Sequence, residues 1–151
     1  MKKLIFALCF AVAGIVAVNA QNNAIGLRLG WGAEVSYQRS FSDLNRLELD
    51  LGLDNWLLSG IQLSGIYQWK WGIGSSDFSW YVGPGVGVGF YWYIPGVSVM
   101  ALGNIGVEYN FPSIPLQLAI DYRPGIGVGF GGGIWPCWSA YSGGLAVRYT
   151  F

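Results

Sequence analysis

Large apolar residues and small or polar residues alternate along most of the chain. The final segment, 139–151, shows the pattern most clearly. Its large apolar positions are Tyr141, Leu145, Val147, Tyr149 and Phe151. Successive side chains of an extended strand point to opposite faces, so a period of two predicts a β-strand with one apolar face. Strands that cross a membrane as part of a barrel show this same alternation.

The alternation recurs along the sequence and predicts eight strands. Their approximate spans are 24–31, 33–41, 45–53, 58–71, 78–90, 98–111, 115–130 and 139–151. Short turns at 42–44, 74–76 and 112–114 would lie at one end. The segments near 54–55, 91–97 and 131–138 would form the loops at the other end. An even number of antiparallel strands with short and longer connections in alternation predicts an all-β fold, an eight-stranded antiparallel transmembrane β-barrel.

Two uncharged stretches, 78–107 and 124–147, are long enough to be read as membrane helices. Their content argues against this interpretation. Each interior glycine disfavours a helix by about 1 kcal/mol and each interior proline by about 3 kcal/mol. Both residue types recur in these stretches, so we interpret them as strands. Pro84 and Pro124 cannot donate a ladder hydrogen bond, and we expect each to mark a bulge.

A glycine repeat occurs twice, at 84–90 and 124–130, with an offset of 40 residues. A phosphate-binding loop would require a G-x-G-x-x-G spacing at a junction between a strand and a helix. In this chain the glycines occupy every second position and therefore one strand face. We expect them to leave room for bulky neighbours inside a narrow barrel.

The bulk of the apolar face indicates which face points outward. An apolar interior would suit a soluble ligand-binding barrel of the lipocalin kind. However, an eight-stranded barrel is barely wide enough for ordinary side chains. The aromatic residues also cluster near the two predicted ends, as in the girdles that flank a lipid bilayer. The predicted girdle residues are Trp69, Trp71 and Trp80 at one end, and Trp31, Trp92 and Trp138 at the other.

The opposite face carries ten ionisable residues that would point into the lumen. They are Arg28, Glu34, Arg46, Glu48, Asp50, Lys70, Glu108, Asp121, Arg123 and Arg148. Ionisable groups at membrane depth pair with one another or face water. Five positive and five negative residues therefore predict a self-neutralising network that fills the lumen. The alternatives are a proton or ion path, or a catalytic pair of carboxylates.

Residues 1–20 have the features of a cleavable secretory signal peptide. Lys2 and Lys3 precede an apolar segment, 4–18, and small residues stand at Val18 and Ala20. Cys9 lies inside the apolar segment, which argues against a lipoprotein. The barrel domain would then span 21–151. Loss of two lysines from eight basic and eight acidic residues leaves a formal charge of −2, which predicts no nucleic-acid partner.

The segments 81–90, 121–124 and 147–151 make the chain similar to the small eight-stranded outer-membrane barrels of the OmpX and OmpA transmembrane-domain type. The resemblance implies location in the outer membrane of a Gram-negative cell, with outer-membrane lipids as surroundings. It also implies insertion by the barrel-assembly machinery through the last strand, with Tyr149 and Phe151 as the assembly signal. The short outer loops, and an end at Phe151 without a periplasmic domain, disfavour adhesion and peptidoglycan binding.

These features favour a structural or interaction role with a side-chain-filled lumen. A narrow pore for small solutes or ions is the alternative, followed by a lipid-modifying enzyme. The chain contains no histidine, so a general base of near-neutral pKa and the usual metal ligands are missing. We therefore expect neither catalysis nor a cofactor or metal, and no motif identifies a small-molecule ligand.

Cys137 is the sole cysteine after residue 20, so the barrel domain has no internal disulfide. Its place between Pro136 and Trp138, in the predicted last outer loop, indicates a free thiol that reagents reach. The alternative is a small apolar side chain packed beneath the loop.

Overall fold

The computed structural model describes residues 22–53, 59–93, 95–139 and 142–151. The predicted signal peptide lies outside these described residues. Ten strand segments follow one another: β1 (Asn23–Leu29), β2 (Ala33–Ser40), β3 (Asn45–Leu53), β4 (Gly60–Gly72), β5 (Phe78–Tyr91), β6 (Gly96–Asn110), β7 (Leu116–Tyr122), β8 (Gly125–Phe130), β9 (Ile134–Ser139) and β10 (Gly143–Thr150). None of the described residues forms a helix long and apolar enough to cross a membrane.

The ten segments form one closed barrel. Strands β1 to β6 pair antiparallel in sequence order. Strand β6 then pairs with β7 over one half of its length and with β8 over the other half. Because β8 pairs with β9, and β7 with β10, these four segments make two interrupted barrel strands. Strand β10 returns to β1, which closes an eight-stranded antiparallel barrel. The predicted all-β architecture is confirmed.

The closure brings the two ends of the described domain together. The backbone N–H of Asn23 donates to the carbonyl of Phe151 at 3.0 Å, and the N–H of Phe151 donates back at 2.9 Å. We call this end of the barrel, which also holds the turns near 42–44, 74–76 and 112–114, the terminal end. The opposite end, which holds the connections at 30–32 and 131–133, is the loop end.

The interruption between β7 and β8 lies at Arg123 and Pro124. The register with β6 continues across it, since Tyr122 pairs with Ile105 and Gly125 with Leu102. The neighbouring strand that contains β9 and β10 does not keep this register. Ser139 pairs with Gly125 and Gly143 with Tyr122, so three residues lie between Ser139 and Gly143 but only two between Tyr122 and Gly125. The extra residue therefore lies on the strand opposite Pro124.

Strand β5 contains Pro84 without a bulge. Its pairing with β4 lapses beside Pro84, but the register on the two sides is the same: Ile66 pairs with Gly85 and Trp69 with Val82. The bulge predicted at Pro84 was wrong. Proline has no backbone N–H, so it removes one hydrogen bond of the ladder. The loss of that bond does not require an inserted residue.

The segment 131–138, predicted as an outer loop, is mostly strand. Only Gly131, Gly132 and Gly133 connect β8 to β9, and all three have positive φ, 65° at Gly132. Since glycine adopts positive φ without a steric penalty, the chain reverses within these residues. Cys137 consequently lies inside β9, where it pairs with Gly127. The prediction that it lies in a loop was wrong.

The two faces of the barrel wall differ sharply in chemistry. Leu27, Val86 and Ile120 on the outer face are 54%, 65% and 60% exposed, whereas Glu48 and Arg148 on the inner face are 0% and 1% exposed. Most fully buried residues are polar or charged. The barrel therefore has an apolar exterior and a polar lumen, and the lumen is the place to look for function.

Candidate functional site

The lumen contains all ten of the charged residues that the sequence assigns to it, and each one makes at least one ion pair. The barrel brings them together because each occupies an inner-face position of its strand. Many partners are far apart in sequence: Arg28 and Asp121 are separated by 93 positions.

Arg123 lies at the centre of the larger group. Its guanidinium contacts the carboxylates of Glu48 at 2.7 Å, Asp50 at 2.9 Å and Glu34 at 3.4 Å. Arg123 lies at the interruption between β7 and β8, directly before Pro124. Its backbone N–H donates to the carbonyl of Ser142 at 3.2 Å. The break in the strand thus holds this side chain across the lumen.

Arg28 and Arg148 complete the group. Arg28 contacts Asp121 at 2.5 Å and Glu34 at 3.3 Å. Arg148 contacts Glu48 at 3.1 Å and donates from Nε to the Ser36 hydroxyl at 2.9 Å. We call these seven residues the upper cluster: Arg28, Arg123, Arg148, Glu34, Glu48, Asp50 and Asp121. Three guanidiniums and four carboxylates give it a formal charge of −1.

A smaller group lies closer to the terminal end. Arg46 contacts Glu108 at 2.5 Å, and Lys70 contacts the same carboxylate at 3.6 Å. The Arg46 guanidinium also lies 4.5 Å from the ring centre of Tyr81, a cation–π geometry. We call Arg46, Lys70 and Glu108 the lower cluster, with a formal charge of +1.

Gln68 links the two clusters. Its side-chain oxygen accepts a hydrogen bond from Arg46 Nε at 2.5 Å, and its amide nitrogen donates to Glu48 at 3.1 Å and to Asn104 at 2.8 Å. Tyr81 provides a second link, because its hydroxyl donates to Asp121 at 3.3 Å. Charged and amide side chains therefore run without interruption across the middle of the lumen.

Toward the loop end, the lumen opens into a cavity of about 800 Å³ that the alternation in the sequence does not predict. Its floor includes Arg28, Glu34 and Arg123 of the upper cluster. Met100 and Leu102 line its walls, as do the aromatic side chains of Tyr91 and Trp135 nearer the turns. We call this space the vestibule.

The glycine repeats shape the vestibule. A Cβ atom on Gly129 would lie 2.2 Å from Nε1 of Trp135, and one on Gly89 would lie 2.8 Å from the Tyr91 hydroxyl. Both aromatic side chains therefore occupy space that a side chain at Gly129 or Gly89 would need. The sequence suggested that these glycines make room for bulky neighbours. In the structure these neighbours are Trp135 and Tyr91, and the vestibule is the space that remains beside them.

Cys137 also lines the vestibule. It is a free, half-buried cysteine on the inner face of β9. The sequence signal that could have revealed this is the alternation of Trp135, Cys137 and Ser139 with the more exposed Ile134, Pro136 and Trp138.

The six predicted girdle residues are all exposed, and Trp31 and Trp138 also border the vestibule. Trp69, Trp71 and Trp80 are 37–41% exposed toward the terminal end, where Trp71 and Trp80 stack with ring centres 4.6 Å apart. Trp31 and Trp92 are 59% and 49% exposed in connections at the loop end. Trp138 is 79% exposed and pairs with Ile126. It lies four residues from Ile134, which pairs with Phe130 at the β8–β9 turn, so it is farther from the loop end than Trp31 and Trp92.

The proposed assembly-signal residues lie at the end of the chain, where β10 pairs with β1 and closes the barrel. Tyr149 is 55% exposed on the outer face, and its ring stacks on Phe151 with centres 6.1 Å apart. Tyr149 pairs with Ile25 of β1 and with Leu116 of β7. The last strand therefore contacts two neighbours at once.

The fold and site define a class: a small closed antiparallel barrel with an apolar exterior, a charged lumen and a vestibule at one end. No family model, curated protein or solved structure matches the chain.

Proposed function

We propose that the chain is an integral β-barrel of a Gram-negative outer membrane, exported by a cleavable signal peptide, with a structural or interaction role and a lumen closed to ions. The observation that carries this proposal is the linked pair of charge clusters across the lumen. Outer-membrane lipids would surround the barrel, and the assembly machinery would recognise its last strand. The proposal includes neither catalysis nor a cofactor.

The exterior supports membrane insertion. The exposed side chains between the two barrel ends are chiefly Leu, Ile and Val, and aromatic side chains flank them. Exposing such a surface to water costs about 25 cal/mol per Å² of apolar area, whereas lipid acyl chains solvate it. Strands β4, β5 and β6 have 13, 14 and 15 residues, enough for a tilted membrane strand, which needs about 9–11.

The burial and pairing of the lumen charges support the proposed closure. Seven of the ten charged side chains in the lumen are at most 3% exposed, and Arg123 is 5% exposed. A permeating ion would have to separate pairs such as Arg123–Glu48 or Arg46–Glu108. Breaking a buried pair costs roughly 3–5 kcal/mol, so we expect little conduction.

A narrow pore is the second candidate, and two observations favour it. The vestibule occupies the loop-end part of the lumen. Below it, four buried side-chain atoms have no hydrogen-bond partner within the described ranges: Arg46 Nη2, Asp50 Oδ1, Asn104 Nδ2 and Arg123 Nε. Buried polar atoms of this kind are commonly satisfied by ordered water, and a continuous file of water would provide a path.

Planar-bilayer recording separates the two candidates. The purified full-length barrel, inserted into a bilayer in potassium chloride, should give no steady single-channel currents. Insertion is checked independently by protection of the strands from protease in vesicles. Stable currents from inserted wild-type protein would favour the pore. Failure of the protein to insert into lipid at all would contradict the membrane assignment itself.

A further inference from the structure

Glu34 is the one acidic residue of the upper cluster that the vestibule exposes. Its side chain is 17% exposed, whereas those of Glu48, Asp50 and Asp121 are at most 1% exposed. Its two ion pairs, to Arg28 at 3.3 Å and Arg123 at 3.4 Å, both use Oε2 and are long. Glu34 therefore keeps an accessible carboxylate oxygen at the cavity floor.

The guanidiniums on the same floor are already engaged. Arg28 Nε and Nη2 donate to Asp121, and Nη2 also donates to the Ser142 carbonyl. The Nη atoms of Arg123 lie within 4.0 Å of four carboxylates. An anion entering the vestibule would meet guanidiniums that are already paired with carboxylates, in a cluster of formal charge −1. Arg123 Nε, which has no hydrogen-bond partner within the described residues, is buried. A cation would meet the exposed carboxylate.

The walls suit the apolar body of such a cation. Met100 and Leu102 lie between the floor and the loop end, and the aromatic residues Tyr91 and Trp135 line the cavity nearer the mouth. Aromatic faces attract organic cations, including quaternary ammonium groups. A volume of about 800 Å³ falls within the range of ordinary small-molecule sites, roughly 300–1,000 Å³.

We propose that the vestibule is a binding site for elongated organic cations, with the ammonium group against Glu34 and the chain between Met100, Leu102 and the aromatic rings. This site goes beyond the structural role proposed above. It requires the cavity and its charge, and it does not depend on whether the lumen conducts ions.

Cys137 provides a native reporter inside the cavity. The wild-type mature barrel, folded in detergent, is treated with N-ethylmaleimide, a small neutral thiol reagent, and modification is followed by mass spectrometry. Hexyltrimethylammonium is added as the probe, and hexanesulfonate serves as the anionic probe of equal chain length. We expect the cation to slow the modification about tenfold more than the sulfonate does, which corresponds to about 1.4 kcal/mol of differential affinity.

Two matched variants test the role of the carboxylate. Glu34→Gln should abolish the difference between the two probes. Asp77→Asn removes an exposed carboxylate from the turn at the terminal end and should leave the difference unchanged. Intact folding of each variant is checked by circular dichroism and by the mobility shift of the unheated barrel in gel electrophoresis.

Every other outcome overturns the proposal. Equal protection by both probes would show an apolar pocket without charge selectivity, and stronger protection by the sulfonate would show an anion site. No protection, or no modification of Cys137 in the folded barrel, would show that the vestibule does not admit these molecules. A cation preference that survives in folded Glu34→Gln would show that Glu34 does not recognise the ammonium group. Channel currents, in contrast, bear only on the closed-lumen proposal.

Discussion

Arg123 and Glu48 lie 75 positions apart in the chain, yet Arg123 Nη2 donates to Glu48 Oε1 at 2.7 Å across the barrel lumen. Arg123 comes from the break between β7 and β8, and Glu48 from the middle of β3. The same carboxylate oxygen also accepts from Arg148, 100 positions away. Two neighbouring segments, β10 and the break after β7, thus meet β3 at one carboxylate of the lumen.

Arg123→Ala should lower the free energy of unfolding by about 3–5 kcal/mol. The substitution leaves Glu34, Glu48, Asp50 and Asp121 with fewer positive partners in a desolvated lumen, and uncompensated buried charge is costly. Urea-induced unfolding from lipid vesicles, followed by tryptophan fluorescence, measures the change. Arg39→Ala is the control, because Arg39 is exposed on the outer face and should matter by about 0.5 kcal/mol or less. Equal unfolding midpoints for the two variants would mean that the lumen is hydrated.

The Arg46–Glu108 pair should show energetic coupling in a double-mutant cycle. We expect Arg46→Met and Glu108→Ala each to destabilise the barrel, and the double variant to lose less than the sum by about 0.5–3 kcal/mol. Lys70 offers a comparison at the same carboxylate, since it is 27% exposed at 3.6 Å. Lys70→Met should cost at most about 1 kcal/mol. Strict additivity for Arg46 and Glu108 would refute a direct buried interaction.

The tryptophans of the terminal end should report a membrane interface. Variants that keep only Trp69, Trp71 or Trp80 are reconstituted into vesicles that contain lipids brominated at defined depths. Bromines close to the headgroups should quench these residues strongly, because amphipathic rings settle at that level. Trp138 lies deeper along its strand and should respond more to mid-chain bromines. Quenching of the three terminal-end tryptophans by acyl-centre probes alone would contradict the girdle.

Gly129→Ala should destabilise the barrel by about 1–3 kcal/mol, the usual cost of overpacking. Its Cβ would lie 2.2 Å from Nε1 of Trp135 and would push that ring into the vestibule. Gly72→Ala is a matched control in another strand, since a Cβ atom on Gly72 would meet nothing within 4 Å. Thermal unfolding of both variants gives the comparison, and equal stability would indicate that Trp135 rests elsewhere.

The sequence predicts the barrel well because a period of two is a local property. Each strand shows which of its residues face inward before any partner is known, so the ten charged positions follow from alternation alone. Which charges pair does not follow. Arg28 pairs with Glu34 of the neighbouring strand, but it also reaches Asp121, because of the register of β1 with β10 and of β10 with β7, which depends on the whole circuit of strands.

Strand pairing decides two local assignments that the sequence pattern does not, and the vestibule depends on the first of them. The layout of strands and connections predicts an outer loop at 131–138, but pairing with β8 makes most of this segment a strand and turns Trp135 and Cys137 inward. Pro84 suggests a bulge, but β5 passes through it in constant register. In both cases the pairing of neighbouring strands overrides the preference of a single residue.

The paired backbone groups of Asn23 and Phe151 impose a condition on folding. Until the final residues add to β1, the sheet has two open edges, each with a row of unpaired N–H and carbonyl groups that invite association with other chains. The contact that removes both edges joins the two ends of the domain, so it carries the largest loop-closure entropy that the domain allows. A growing chain therefore gains no closed intermediate from its early strands.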